Sequence, residues 1–267
     1  MSRGMRSPWM ALGSVWVVAF LALPLAGLLL RAASSGGLLE AMGRPVVLEA
    51  LRLSAITSLA ALAASIVLGT PLALLLSRKR FPGHRILDTL VDLPMVLPPT
   101  VAGLALLLTL GRRGLLGESL AFFGISLPFT TAAVIVAQVF VSAPFFIRAA
   151  RAGFDTVPRD IEDAAAIDGA GGLTMLRAIT VPLALPAVVG GAVMTWARAL
   201  GEFGATVMFA GNFEGRTQTM TLAVYSALES DLDAALGLSV ILLVVSFTVL
   251  MVFRYLLGER LGGMLRL

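Results

Sequence analysis

The chain has 267 residues, of which 58% are hydrophobic and 13% charged, and its mean hydropathy is +0.94. A water-soluble domain carries roughly a quarter of its residues as charges, so this composition excludes a soluble globular protein and indicates an integral membrane protein. With no cysteine, a disulfide framework, Cys-based metal sites and thiol catalysis are excluded as well, and a single histidine argues against a transition-metal enzyme.

A spanning helix needs about 20 mostly apolar residues, and six such stretches follow in order. The first, 9–30, is preceded by Arg3 and Arg6 as a signal peptide would be. Its apolar run is too long for such a peptide and no clean small-x-small cleavage site follows, so a retained helix is expected. The second span is 49–77. The third, 90–110, lies in "DLPMVLPPTVAGLALLLTLGRRGLLG" (Asp92 to Gly117). Pro94, Pro98 and Pro99 remove backbone donors there, so this span bends or breaks. Irregular backbone at membrane depth is tolerated only under protein or beside a water-filled cavity; a structural kink and a broken pore-lining helix both meet that condition. The fourth span is 129–149, the fifth 182–209 and the sixth 235–256.

Six spans place both termini on one side. That side collects thirteen arginines and lysines, among them Arg78, Lys79, Arg80, Arg85, Arg148, Arg151, Arg159 and Arg177. The other side holds six: Arg31, Arg44, Arg52, Arg112, Arg113 and Arg216. Basic residues concentrate on cytoplasmic loops, so the termini and the loops at 78–89 and 150–181 are expected in the cytoplasm. The net charge of +4 and the pI near 10.6 report those loops rather than a nucleic-acid surface. His84, in a basic loop, is expected to face solvent or headgroups.

The longest cytoplasmic loop reads "TVPRDIEDAAAIDGAGGLTMLRAITVPLALP" (Thr156 to Pro186). Pro158 suits the first turn of a helix with Thr156 as its cap. Asp160, Glu162 and Asp163 complement the positive end of its dipole. Ala164, Ala165 and Ala166 favour helix while presenting almost no bulk, and Gly169, Gly171 and Gly172 end it. A second short helix, about 173–179, leads to Pro182. Either this is a plain surface hairpin, or its small residues let another protein approach closely.

In the fifth span, "WARALGEFGATVMFAGNFEGRTQT" (Trp196 to Thr219) places Arg198 and Glu202 four residues apart on one face, where they can pair. Ionisable groups within a span face a bundle interior or a water path. The pair is either a neutralised packing element or part of an anion route. Gly201 and Gly204 permit close helix approach, and Thr206 adds a hydroxyl. The external segment 211–234 reads as a hydrophilic connector or as a docking surface.

The spacing Asp163-Ala164-Ala165, Gly169 and Ile179-x-Val181-Pro182 resembles the Glu-Ala-Ala loop of binding-protein-dependent ABC importer permeases. That family's pattern is Glu-Ala-Ala, three residues, Gly, nine residues, Ile-x-Leu-Pro. Asp163 replaces Glu and Val181 replaces Leu, with spacing intact. "RALGEFGATVMFAGN" and "RTQTMTLAVY" (198–212 and 216–225) are similar to molybdate permeases, with sulfate and tungstate permeases as near relatives. The likeness covers about 46–256.

The resemblance implies an all-α integral membrane protein of the type I ABC importer permease fold. It would have six transmembrane helices and a cytoplasmic coupling helix between spans four and five, in a single domain over 1–267. Glu162, Asp163, Ala164, Ala165, Gly169, Ile179 and Pro182 would meet the ATPase. Pro98, Pro99, Thr100, Gly103, Arg198, Glu202, Thr206 and Asn212 are candidates for the path or its gate. The chain has no GxxxxGK[ST] phosphate loop, so it cannot be the ATPase; no cofactor is expected on this chain, and ATP and Mg would be used by a separate cytoplasmic ABC ATPase dimer. Other expected partners are a second copy of this chain, a periplasmic or extracellular oxyanion-binding protein and the lipid bilayer of a bacterial or archaeal cytoplasmic membrane; nucleic acid is not among them. An ion-coupled secondary transporter fits less well, because no internal repeat is visible and the clearest intramembrane acid has a basic partner in reach. A membrane-embedded enzyme lacks a catalytic constellation.

Overall fold

The computed structural model describes residues 8–35 and 43–264. The expected sites lie within these ranges; Arg3, Arg6 and Arg266, three of the thirteen basic residues assigned to the side of the termini, lie outside them. The described elements are helical. They are α1 (Pro8–Ser35), α2 (Pro45–Arg78), α3 (His84–Val96), α4 (Pro99–Leu110), α5 (Gly117–Phe122), α6 (Thr131–Asp155), α7 (Arg159–Ile167) and α8 (Gly172–Met175). After a π turn at Leu176–Thr180 come α9 (Val181–Leu183), α10 (Leu185–Leu200), α11 (Gly204–Ala210), α12 (Met220–Ser230) and α13 (Leu232–Met264). Among the described residues, four helices are long and apolar enough to cross a membrane, and two bent pairs bring the number of spans to as many as six.

The centre of the bundle is α2, α6 and α10. In lipid there is no hydrophobic force between helices, so association relies on close packing. The buried face of α2 is accordingly small along most of its length: Ala50, Ser54, Thr57, Ser58, Ala61, Ser65, Gly69 and Ala73, with Val47 and Leu76 toward its two ends. A methyl group on Gly69 would lie 2.9 Å from the Phe146 ring of α6. The same device joins α6 to α10, where methyls added at Gly153 and Gly191 would lie 2.6 Å from the side chains of Ala187 and Ala149. Outside this core, α1 packs on α13.

The third span is broken rather than continuous. α3 and α4 meet at 117°, and Leu97 and Pro98 between them are extended. Two consecutive prolines explain the break: each disfavours helix in the residue before it and neither has an N–H to donate. α4, with 12 residues, is about 18 Å long and cannot cross alone. The fifth span is likewise divided. α9 and α10 belong to segments bent by 82° at Ala184, and α10 stops at Leu200, before α11 begins. Pro186 falls in the first turn of α10, where a missing N–H costs nothing.

Three further expectations are corrected. Thr156 caps the end of α6, its hydroxyl donating to the Gly153 carbonyl at 2.7 Å, and Pro158 precedes α7 instead of entering it. His84 is half-buried with Nε2 3.1 Å from the Leu76 carbonyl oxygen, because α3 folds back on the end of α2. The segment 211–234 is more than a connector: it contains α12, whose Met220 and Ala223 pack with Val47, Ala50 and Leu238. The Met220 N–H donates to Ser54 Oγ at 2.7 Å. The run Met220–Val224 is apolar but too short to register as a span, and the flanking charges masked it.

Candidate functional site

Two regions carry the residues singled out above. The first is the loop between α6 and α10. α7 has no buried residue: Ile161, Asp163, Ala164, Ala166 and Ile167 are exposed, and Ala165 is half-buried. Gly169 has φ +89°. The helix ends there with the Ala170 N–H bonded to the Ala165 carbonyl and the Gly169 N–H to the Ala166 carbonyl, a Schellman arrangement that glycine serves best. Ile167 is 87% exposed and Leu173 60%, so an apolar, small-residue surface faces outward. Ile179 and Pro182 are half-buried on the return to α10.

Glu162 differs from its neighbours, since it turns inward. Its Oε1 accepts from Arg78 Nη2 at 2.9 Å and from Thr180 Oγ1 at 2.7 Å. Arg78 is the last residue of α2, and its Nη1 donates to Ser77 Oγ at 3.3 Å. Ser77 in turn donates to Asp155 at the end of α6. Arg151 pairs with Asp155 and Asp88, and Arg148 with Asp88 and Asp92. A continuous polar chain thus ties α7, α2, α6 and α3 together. Apart from Glu162, sequence reasoning missed its members. A signal existed: Asp88 and Asp92 share one face of α3, and Arg148 and Arg151 share one face of α6.

The second region is the crossing of α4 and α11. Methyls added at Gly103 and Gly204 show how tight it is: the first would lie 2.7 Å from Met208 Cβ and 2.8 Å from the Ala205 backbone, the second 2.7 Å from Pro99 Cβ. Gly103 is therefore a packing contact. Pro98, Pro99 and Thr100 are exposed at the start of α4. Arg198 and Glu202 pair at 2.6 Å; Glu202 is 1% exposed. The Ala205 N–H donates to Glu202 Oε1 at 2.8 Å, so the carboxylate also caps α11. Thr221 of α12 donates to the Glu202 carbonyl at 2.9 Å. Thr206 is fully enclosed. Asn212 lies beyond the far end of α11, its amide donating to Ser226 Oγ at 2.7 Å. The structure thus gathers seven of the eight path candidates at one crossing and sets Asn212 apart.

On the connector, Asp231 pairs with Arg44 at 3.1 Å. The Ala234 N–H and the Arg44 guanidinium hold its carboxyl below the ordinary aspartate value.

The family model described as "Binding-protein-dependent transport system inner membrane component" matches residues 65–262. The chain is 41% identical to the molybdenum transport system permease protein ModB of Mycobacterium tuberculosis, over 91% of this chain and 92% of that one. It is 34% identical to the molybdate/tungstate transport system permease protein WtpB of Thermococcus kodakarensis, over 94% and 95%. Among solved structures, a bacterial ABC transporter involved in import of the acidic polysaccharide alginate aligns with TM-score 0.75 at 16% identity, over 94% of each chain. That likeness is one of fold.

Proposed function

The chain belongs to the family of binding-protein-dependent transport system inner membrane components, and on that premise we propose that it is the permease subunit of an ATP-driven importer that carries molybdate across the cytoplasmic membrane by alternating access. The observation that carries this reading is α7, a helix with no buried residue that presents small and apolar side chains outward and ends on a left-handed Gly169. Such a helix offers a stiff, low-profile surface to an ATPase. Asp163, Ala164, Ala165 and Gly169 are its contact, with Ile179 and Pro182 carrying the chain back to the core. The excess of arginine at this end supports a cytoplasmic placement.

Two copies of the chain enclose the path, and two ATPase subunits, which bind the ATP and Mg, seat the two α7 helices. ATP binding draws those helices together and the spans swing open toward a loaded oxyanion-binding protein; hydrolysis resets them. Ligands shift such an equilibrium only through differential binding to its two states. A dianion cannot cross hydrocarbon bare. The crossing of α4 and α11 is the gate in this reading, with Thr100 and the half-buried Arg198 as polar groups beside Pro98 and Pro99, and Gly103, Glu202 and Thr206 holding its geometry. Asn212 belongs to the external mouth.

Cargo follows the names of the molybdenum permease relatives. Tungstate is the second reading, favoured by the printed name of the Thermococcus relative. Reconstitution with the ATPase and binding protein in vesicles tests both: ATP-dependent uptake of molybdate, with sulfate weaker, is expected. Uptake without the ATPase, driven by a proton or sodium gradient, would sink the proposal.

A further inference from the structure

The loop helix presents a mechanical difficulty. A helix with no buried residue cannot be held rigid by apolar packing, yet a push received there is useful only if α7 does not swivel. Of its acids, Asp160, Asp163 and the following Asp168 point to solvent, while Glu162 points inward. Its Oε1 accepts two hydrogen bonds at once, one from the end of α2 through Arg78 and one from Thr180, on the return segment and 1% exposed. The Arg78 and Glu162 side chains are 17% and 15% exposed, so this pair is shielded in a way that surface ion pairs of little consequence are not.

The tie does not stop at α2. Arg78 reaches Ser77, Ser77 reaches Asp155, and Arg151 and Arg148 carry the chain to Asp88 and Asp92 on α3. α3 continues through extended Leu97 and Pro98 into α4, whose first residue packs against Gly204, two positions from Glu202. One polar chain therefore joins the loop helix to the helix pair whose second half forms the α4–α11 crossing.

Building on the transport reading above, we propose that Glu162 is a positioning residue: its bond to Arg78 converts displacement of α7 into displacement of α2, α6 and α3. It is turned away from the surface that meets the ATPase and acts on transmission, not on docking. Removing its charge uncouples hydrolysis from uptake while the complex still assembles.

The test has two arms, with Glu162→Gln and Arg78→Gln as independent variants and Arg78→Lys as the charge-keeping control. In the first, the full chain alone is placed in lipid nanodiscs with spin labels on Arg80→Cys and Asp168→Cys; the chain has no native cysteine to interfere. The expected result is a narrow inter-label distance distribution that broadens in both Gln variants and stays narrow in Arg78→Lys. In the second, the complex with ATPase and binding protein is reconstituted, and molybdate taken up per ATP hydrolysed is measured beside ATPase recovery. Uptake per ATP is expected to fall about fivefold or more, the scale of typical coupling energies, with recovery at the wild-type amount. The proposal is overturned by an unchanged distance distribution, by unchanged uptake per ATP, or by lost ATPase recovery with coupling intact in the complexes that remain. If wild-type vesicles take up nothing with ATP, the transport reading fails by itself, while the spin-label arm still decides whether Glu162 fixes α7.

Discussion

Adding one methyl group at Gly103 tests the α4–α11 crossing directly. In Gly103→Ala the new carbon lies 2.7 Å from Met208 Cβ and 2.8 Å from both Cα and the carbonyl oxygen of Ala205. Carbon contacts settle at about 3.5–4.0 Å, and backbone atoms cannot rotate away, so the two helices must separate by about 1 Å. Overpacking of this kind costs about 1–3 kcal/mol, offset by the roughly 0.5–1 kcal/mol that alanine gains over glycine in a helix. The net expectation is a loss of about 0–2.5 kcal/mol, centred on about 1 kcal/mol, and each kcal/mol lowers Tm by about 2–4 °C for a chain of this size. Gly190→Ala on α10 is the control, because its added methyl meets no neighbour within 4 Å beyond the local backbone of its own helix and the helix-propensity gain stands alone. Thermal unfolding in nanodiscs, followed by tryptophan fluorescence, reads both variants. A Gly103→Ala Tm equal to or above that of Gly190→Ala would refute the close-approach argument.

Gly169→Ala forces a side chain onto φ +89° at about 1–2 kcal/mol; lower ATPase recovery on the tagged chain with unchanged membrane insertion is expected, and wild-type recovery would make the loop only a connector. Glu202→Gln keeps an acceptor for the Ala205 N–H, whereas Glu202→Ala also removes a cap worth about 0.5–2 kcal/mol. The order of Tm is therefore wild type, Gln, Ala, and a reversal of the last two would contradict the capping role. Asp231 has its carboxyl held below the ordinary value by the Ala234 N–H and Arg44. Its contribution is complete above about pH 4 and is lost as pH falls through the depressed value. Asp231→Asn should therefore lie below wild type in Tm at pH 7, and the gap should narrow as pH falls through the depressed value; a gap that does not narrow on acidification would argue for another cause.

What the sequence made legible depended on whether a pattern was local. The spans, the Glu-Ala-Ala spacing and the Arg198–Glu202 pair are all readable within one helix or one turn, and the structure has Arg198 and Glu202 at pairing distance. The double proline at 98 and 99 announced the break in the third span, because its effect falls on adjacent residues. The contacts between elements were not readable. Glu162 looked like one more acid at a helix start, and its turn toward Arg78, 84 positions away, follows from how α7 folds back on α2. Gly103 looked like a lining residue for the same reason: a small side chain fits a pore wall and a tight crossing equally well. α12 escaped because half its face is polar and its apolar half, Met220 to Val224, is shorter than any spanning window.

The two kinds of joint are distributed in a way that suits a protein with two working conformations. Where helices pass at membrane depth, contact is made by glycine and alanine: Gly69 on Phe146, Gly191 on Ala149, Gly103 on Ala205. Such contacts have no alternative partner in lipid, and separating them forfeits packing outright, so they define bodies that move as units. At the loop end the joints are ionic: Arg78 holds Glu162 in a shielded pair, while Arg148 and Arg151 share Asp88 in a wetter cluster. There a carboxylate that leaves one arginine meets water or a neighbouring arginine, and exchange is cheap. Rigid units joined by exchangeable ties rock between states instead of deforming. Moving one element of the polar chain re-partners the next, which is why charge removal at Glu162 should cost coupling before it costs stability.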